Sequence, residues 1–494
     1  MRNIVDKSPP THRSEIAVLG KGFVVLFKKL HLELWLQIII VIAIAWYTGY
    51  NTHSDEHVQL DAFRYYETHW WPPEIGSSDV LYSAFGYSRV FTGEIGFLIY
   101  GKAAWLVQTV IPLPQQSYKE LLLPTVTEYV NVSPDSPYPP DYAYYDRILA
   151  FLDAHPVGPA YRLYRFFNVA LLLVTIVVLL RTKLRNFNLT ILALGFLTLP
   201  NSYYLYSYAT THAIGVSLTL FLFIFVLKIL EADLETVPWW KFVLLGLLAG
   251  LLMQMRKNHM AGLVFPFLLL IVEYLYALRN KRLRFSTASK QAGVTILVTF
   301  LVIAPLLVVY PLTQGNYSEK IMQAAETYAW IGLKPSQPLM PDVYLYKQGV
   351  TFFDLLTQYG WLQQTLRNFY ASYNYDTKNT SAYIYTAAWI LWAFLLLLTF
   401  VLTRKNWDKY SFTRKAMYLL SPLAILINLS ASLARSLLED YTPLGRYLMP
   451  SIVPFSILLF GSLDEIPPRL QKLHQVVIGL LYVLCILGLA IVES

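Results

Sequence analysis

Charged residues and cysteine are both scarce in this sequence. Asp, Glu, Lys and Arg make up 14% of its 494 residues, whereas a soluble domain carries about 25%. Cys485 is the one cysteine, which excludes a disulfide framework and a metal site built from cysteines. Apolar runs of about 20 residues recur along the sequence, and each is long enough to cross a bilayer as a helix. The composition therefore predicts an all-α polytopic membrane protein.

The net charge of +8 raises the question of a nucleic-acid partner. The basic residues, however, stand in short clusters beside the apolar runs, as the cytoplasmic loops of membrane proteins require. Membrane topology explains the excess of positive charge, and we expect membrane lipids rather than nucleic acid around this chain.

The same clusters predict the orientation of the chain. Residues 1–33 hold six Lys/Arg and three acids, which predicts a cytoplasmic N-terminal segment. Residues 51–165 hold seven Lys/Arg and thirteen acids, which predicts a large extracytoplasmic loop, and 314–382 forms a second outer segment. We expect both to carry juxtamembrane helices. Residues 34–494 then form one transmembrane domain of about eleven helices, at 34–48, 166–180, 188–206, 212–230, 241–255, 260–278, 291–313, 383–403, 416–434, 446–463 and 473–491.

Two segments depart from this pattern. Residues 90–110 are apolar but contain Glu94 and Lys102, and a crossing here would place every later basic cluster outside. We therefore predict a helix that lies at the interface within the first outer loop. The turn between 241–255 and 260–278 carries Arg256, Lys257 and His259 on the outer side. These cations are candidates for binding a lipid-carrier phosphate, or they extend to lipid headgroups, as we also expect of Arg162 and Arg165.

The first outer loop opens with His53-Ser54-Asp55-Glu56-His57. Ser54 is a good N-cap, so Asp55 and Glu56 would occupy the first turn of a helix, where negative charge is favoured. Alternatively, one of these carboxylates faces a cavity at the membrane surface and acts as a general base. His57 and Arg64 follow at helical spacing, and a divalent metal held by the histidines and acids remains an open alternative, although the spacing is not diagnostic.

An acidic pair just after the first span resembles the GT-C superfamily of membrane glycosyltransferases, which includes the aminoarabinose and protein O-mannosyl transferases. The resemblance implies a sugar donor linked to a lipid phosphate, often polyprenyl phosphate. It implies that Asp55, the first acid of the pair, is the general base, with Glu56 beside it. His53, His57 and Arg64 are candidate substrate-binding residues because they lie close to this pair in the sequence. The aminoarabinose enzymes continue with Thr-Arg-Tyr where this chain has His57-Val58-Gln59, so the acceptor is not carried over.

A second motif, Gly445-Arg446-Tyr447-Leu448-Met449-Pro450, opens the tenth predicted span from the outside. It is similar to a motif of uncharacterised bacterial membrane proteins grouped with the GT-C clan. Arg446 and Tyr447 are therefore candidate substrate-binding residues, because a guanidinium fits a phosphate bidentately. The structural alternative is that Arg446 pairs with Glu439 or Asp440.

These observations lead to a primary hypothesis and two alternatives. The first is an inverting glycosyltransferase of the bacterial plasma membrane, active on the extracytoplasmic side in cell-envelope glycan synthesis, with a glycan, lipid or protein acceptor. The second is a transporter or flippase of a lipid-linked or small polar substrate. It is weakened because no internal repeat is evident and the predicted spans have few charges at their centres. The third is an assembly protein without catalytic activity.

Overall fold

The chain folds into a helical bundle with a few very short strands. A computed structural model describes residues 32–50, 56–122, 141–155, 158–255, 257–336, 344–373, 378–490 and 492–493. Most of the predicted segment 1–33 and the residues His53, Asp55 and Arg256 lie outside these ranges. The helices are α1 Leu32–Tyr47, α2 Glu56–Thr68, α3 Ile95–Val110, α4 Tyr142–Ala154, α5 Arg162–Arg181, α6 Thr190–Leu197, α7 Pro200–Leu205, α8 His212–Leu230, α9 Trp239–Met253, α10 Val264–Arg279, α11 Phe285–Ala304, α12 Tyr310–Thr313, α13 Tyr317–Tyr328, α14 Phe352–Thr357, α15 Trp361–Tyr370, α16 Ala382–Asn406, α17 Phe412–Leu438, α18 Ile452–Phe460 and α19 Pro468–Ala490.

Short turns of other geometry link these helices. A π-helical segment, Pro305–Val309, joins α11 to α12. The 3₁₀ segments are Arg89–Thr92, Lys257–Leu263, Ile331–Leu333, Leu345–Gln348, Trp407–Lys409, Gly445–Ser451 and Leu463–Glu465. The strands are β1 Gln115–Gln116, β2 Gly158–Pro159, β3 Ser372–Tyr373, β4 Lys378–Thr380 and β5 Val492–Glu493, and they pair antiparallel as β1-β2 and β3-β4-β5.

Eight helical segments in the described part of the chain are long and apolar enough to span a membrane, which identifies an integral membrane protein. They are Arg162–Arg181, His212–Leu230, Lys257–Arg279, Phe285–Thr313, Ala382–Lys409, Phe412–Leu438, Gly445–Glu465 and Pro468–Ala490. Two further predicted spans coincide with shorter apolar helices, α1 and α9. The count of about eleven and the orientation remain predictions.

The predicted span 188–206 forms two short helices instead of one. Leu199 adopts an extended conformation (φ −118°, ψ 106°) immediately before Pro200, which occupies the first turn of α7. A residue that precedes proline is pushed out of the helical region. All eight residues of α6 are buried, so protein rather than lipid surrounds this break and can satisfy the interrupted backbone.

Glycines allow α9 and α11 to pack closely. A β-carbon on Gly246 of α9 would lie 2.6 Å from the Thr295 carbonyl oxygen of α11, and one on Gly250 would lie 2.7 Å from Val302. Small residues at such contacts let helix backbones approach within van der Waals distance, which is a main source of helix association in membranes. The pair α9 and α11 therefore packs as one unit.

The apolar stretch 90–110 forms α3, a 16-residue helix that packs along α2. A β-carbon on Gly101 would lie 2.6 Å from the Phe63 carbonyl oxygen, so the two helices touch backbone to backbone. The Lys102 ammonium lies 4.3 Å from the centre of the exposed Trp70 ring. The first loop is thus a folded layer built on α2 and α3.

The second outer segment also contains helices. The capping box of Thr351 and Asp354 begins α14, and Trp361 at the start of α15 is fully buried. The Trp361 indole donates to the Ser436 hydroxyl at 2.8 Å. This contact fixes the segment to the end of α17, next to the motif at Gly445.

Candidate functional site

Glu56 forms a fully buried ion pair with Arg165, and neither side chain is exposed (0% for both). Arg165 Nε and Nη2 each donate to a Glu56 carboxylate oxygen at 2.7 Å. Its remaining donors reach the Ala45, Thr48 and Gly49 carbonyls at 3.2, 2.8 and 2.8 Å. The pair of Glu56 and Arg165 therefore joins the end of α1, the start of α2 and the start of α5. The prediction that Arg165 binds lipid headgroups is wrong, because its guanidinium is buried.

The neighbouring site predictions on α2 lie on the surface of the first loop. His57 is partly exposed. The Arg64 guanidinium donates to the Asp61 carboxylate at 3.1 and 2.8 Å and to the Asp79 carbonyl at 3.2 Å. Asp61 in turn accepts the Leu81 N–H at 2.7 Å. These bonds brace the fold of the loop, and Arg64 is held within them.

The second motif and the turn after α9 come together as a cluster. The segments Lys257–Leu263 and Gly445–Ser451 pack against each other. His259 Nε2 lies 2.7 Å from His212 Nδ1, and the His212 ring is 6.3 Å from the ring of Tyr447. Lys257 Nζ lies 3.7 Å from the Glu439 carboxylate. Four predicted substrate-binding residues, Lys257, His259, Arg446 and Tyr447, are therefore neighbours in space.

Arg435 lies at the centre of this cluster, and no sequence pattern marked it beyond its being a basic residue near a helix end. Its guanidinium lies 4.6 Å from the Tyr447 ring centre and donates to Asn258 Oδ1 at 3.2 Å. It also lies 3.2 Å from Glu439 and 3.7 Å from Asp440. The two acids considered as partners for Arg446 therefore contact Arg435, while the Arg446 guanidinium lies 5.9 Å from the Tyr447 ring.

A cavity of about 370 Å³ opens beside this cluster, and we refer to it as the Arg435 cavity. Three cationic and two acidic side chains line it together with Tyr447, the tyrosine of the second motif. Sulfur-containing and aliphatic side chains cover another part of the wall. The polar lining residues include Arg89, Glu94, Lys257, Arg435, Glu439 and Tyr447, and the apolar ones include Met253, Met260 and Leu307.

Glu94 is the carboxylate on the wall formed by the first loop. It stands at the start of α3, is 7% exposed and accepts a hydrogen bond from the Thr211 hydroxyl at 2.9 Å. Ala209, two residues earlier, donates its N–H to Glu56 at 3.3 Å. One short chain segment therefore connects the buried Glu56 pair with the acid of the cavity. In the sequence, Glu94 was evident only as an interruption of an apolar stretch.

The lining chemistry suits an anionic, amphiphilic ligand. Three cations and two carboxylates line the cavity, and Asp440 also contacts Arg435. Charge-assisted hydrogen bonds from guanidinium and ammonium groups are the strong contacts to phosphate. Among the residues that the structure describes, no group of three or more His, Cys, Asp or Glu side chains has a spacing that would hold a metal ion. His53 and Asp55 lie outside those residues, so the metal alternative for the first motif stays a prediction.

Comparison with known proteins adds one structural likeness. No protein-family model matches the sequence, and no curated protein sequence matches it. The fold is similar to the crystal structure of ArnT from Cupriavidus metallidurans in the apo state, with 11% sequence identity and a TM-score of 0.46 over 93% of this chain. The chain spans 62% of the length of that structure. This likeness assigns no function to the chain, and the residues of the cavity are the basis on which a function is proposed.

Proposed function

We propose that this protein is a membrane glycosyltransferase that moves a sugar from a polyprenyl-phosphate donor to an extracytoplasmic acceptor. The observation that carries the proposal is the Arg435 cavity, where cations, a buried carboxylate and an apolar wall meet at the ends of membrane-spanning helices. The motif at Gly445–Pro450 contributes Tyr447 to that cavity. A ligand with a phosphate and an apolar tail matches this lining.

The cations match the change in charge during such a transfer. A sugar linked to polyprenyl phosphate is a phosphodiester, and breaking its bond to the anomeric carbon leaves a phosphomonoester with additional negative charge. Arg435, Arg89 and Lys257 line the cavity in which that charge would develop. Preorganised cations stabilise such charge more than they stabilise the bound donor, which is the condition for lowering the barrier.

The apolar wall matches the remainder of the donor. Met253 and Met260 bracket the turn after α9, and Leu307 belongs to the π-helical segment after α11. Methionine side chains adapt to irregular apolar ligands. A polyprenyl chain that leaves the cavity along Leu307 would continue beside α11, whose surface is largely unburied within the protein.

The general base of the proposal is Asp55, which follows from the resemblance of the first motif. In a single displacement it removes the proton of the acceptor nucleophile as that atom attacks the anomeric carbon, and the configuration inverts. Glu94 is the buried carboxylate in the cavity wall. The isosteric variants Asp55→Asn and Glu94→Gln separate the two: loss of turnover with donor binding intact identifies the base.

The test is release of polyprenyl phosphate by protein in proteoliposomes, supplied with a mixture of polyprenyl-phosphate sugars and membrane-derived acceptors and followed by mass spectrometry. Arg435→Gln should lower release about 100-fold, the effect of removing one preorganised charge contact, and Arg435→Lys should retain part of it. Lys347→Gln, an exposed cation outside the cavity, is the matched control. A folded Arg435→Gln protein with full release would overturn the proposal, and movement of intact donor across the bilayer without release would establish the flippase alternative.

A further inference from the structure

A second cavity, of about 680 Å³, lies at the opposite end of the bundle. It is formed by the loop after α5 and by the turn that leads into α17, so that Arg414 at the start of α17 lines it. Arg435, which lines the first cavity, is 21 residues further along the same helix. At 1.5 Å per residue the two cavities are about 32 Å apart, the thickness of a bilayer core.

The cations of this second cavity come from two separate loops. Lys183 and Arg185 extend from the loop after α5, and Lys409 extends from the turn before α17. All three side chains are exposed, and Lys409 donates to the uncharged Asn406 amide at 3.2 Å. This arrangement places three exposed positive charges around one opening.

The acids near the cavity already have partners. Glu465 holds Arg414 at 2.5 Å, and Asp464 accepts from the Asn188 amide at 3.0 Å. The Glu231 carboxylate accepts the backbone N–H of Asn186 at 3.1 Å. Counting Arg414, four cations and one carboxylate, Asp464, line the cavity, and Glu465 beside it pairs with Arg414. The lining therefore carries an excess of positive charge.

The deeper wall of the cavity is apolar. Leu180, Ile191, Met417 and Ile457 line it, and they belong to helices of the bundle. A free anion would use the cations but leave this wall in contact with water. An amphiphile with an anionic head and an acyl chain satisfies both parts of the cavity. The positive-inside rule places this end on the cytoplasmic side, where juxtamembrane cations attract anionic lipid headgroups.

We propose that this cavity, lined by Lys183, Arg185 and Lys409, is a binding site for an anionic glycerophospholipid of the cytoplasmic leaflet. The lipid phosphate accepts from the loop cations, and the first part of an acyl chain lies against the apolar wall. The bound lipid connects the loop after α5 with the turn before α17. This site is separate from the proposed transfer site and does not depend on the proposed function.

The experiment compares retention of phosphatidylglycerol and phosphatidylcholine by the purified full-length protein, measured by native mass spectrometry after mixing with micelles of each lipid. The variant is the triple substitution Lys183→Gln, Arg185→Gln, Lys409→Gln. The matched control removes equal charge from another basic cluster predicted on the same side, through Lys281→Gln, Arg282→Gln and Lys290→Gln. We expect the cavity variant to lose phosphatidylglycerol retention at least about tenfold, which corresponds to about 1.4 kcal/mol, because juxtamembrane cations attract anionic lipid headgroups, and we expect the control to keep its retention.

Three results would overturn the proposal. Equal losses in both triple variants would show general surface electrostatics, and unchanged retention in the cavity variant would exclude the site. Displacement of phosphatidylglycerol by inorganic phosphate at similar concentration would show a site for free anions. Because a triple variant can misfold, a photoreactive phosphatidylglycerol provides a second measurement on the unaltered protein, and its crosslinks should map to the loop after α5 or the turn before α17.

Discussion

At the scale of single residues, the buried pair of Glu56 and Arg165 is the contact with the largest predicted effect. Arg165 uses all its donors on the Glu56 carboxylate and three carbonyls at the end of α1. Glu56→Ala leaves a buried guanidinium without its counter-charge, which should lower the free energy of unfolding by about 3–5 kcal/mol. Thermal unfolding in detergent measures the change.

The control for that prediction is Glu74→Ala. Glu74 is exposed and pairs with Lys320 at 2.6 Å, and ion pairs in water contribute little to stability. If Glu56→Ala unfolds at the same temperature as Glu74→Ala and the wild type, the structural role of the Glu56 pair is refuted. Any loss of activity in the Glu56→Ala variant would then point to a catalytic role for Glu56.

Glu56 also shows what residue patterns in the sequence can and cannot predict. Its place in the first turn of a helix follows from local sequence, and α2 begins at Glu56. Its partner is 109 residues away, and no local pattern distinguishes Arg165 from Arg162 as the one that is buried. The contacts of Arg435 are missed for the same reason, because they join three segments that are distant in sequence.

The burial of the Glu67 carboxyl on α2 predicts that the stability of the protein depends on pH. Burial raises the pKa of its carboxyl above the ordinary value of 4.5, although the hydrogen bonds from Tyr164 and Gln108 act in the opposite direction. The folded protein therefore binds this proton more tightly than the unfolded chain does. Glu67 then contributes less to stability as the pH rises from about 4.5 through its pKa in the folded state.

The variant Glu67→Gln stays uncharged at every pH. The difference in melting temperature, variant minus wild type, should therefore become more positive between pH 4.5 and pH 8. The same series on Glu74→Gln is the comparison, since the Lys320 ammonium lowers the pKa of Glu74 and no such rise is expected. A flat difference for Glu67→Gln would contradict the burial argument.

At the scale of elements, close packing against α15 explains why the second motif begins with glycine, Gly445. A β-carbon at this position would lie 1.8 Å from the backbone nitrogen of Phe369 and 1.9 Å from the carbonyl carbon of Asn368. These are backbone atoms of α15, which cannot rotate away. Gly445→Ala should therefore separate the motif from α15 and lower the free energy of unfolding by at least about 1–3 kcal/mol, the usual effect of overpacking.

Gly293→Ala on α11 is the matched control, because nothing lies within 4 Å of its β-carbon position and alanine favours the helix. We expect Gly445→Ala to unfold at a lower temperature than Gly293→Ala when both are measured under the same conditions. Equal stability would show that the motif tolerates a side chain and that its glycine has some other role.

The elements also show where hydrophobic runs mislead. The run at 188–206 has the length of a span, but Pro200 divides it and both halves are buried among other helices. Hydropathy reports that a segment avoids water and does not report whether lipid or protein surrounds it. At 90–110 the structure has a 16-residue helix, α3, that packs on α2, and its non-crossing orientation remains a prediction.

At the scale of the whole molecule, the two ends of the bundle carry different chemistry. One end has the Arg435 cavity, where cations alternate with carboxylates beside a folded loop layer. The other has exposed cations around a larger opening. An enzyme that takes a lipid-linked donor from the membrane needs such a division, because its reacting groups must face one aqueous side while its orientation is fixed by basic residues on the other.

That orientation predicts the accessibility of each end to a water-soluble thiol reagent. Replacing the buried Cys485 with alanine gives a background without thiols, to which single exposed cysteines are added. Ser78→Cys and Thr327→Cys lie in the predicted outer loop and outer segment, and Ser286→Cys lies beside a basic cluster; all three positions are exposed. In intact cells a membrane-impermeant maleimide should label the first two and reach the third only after permeabilisation. Labelling of Ser286→Cys in intact cells, with protection of Ser78→Cys, would invert the topology and place the Arg435 cavity in the cytoplasm, where an extracytoplasmic acceptor could not reach it.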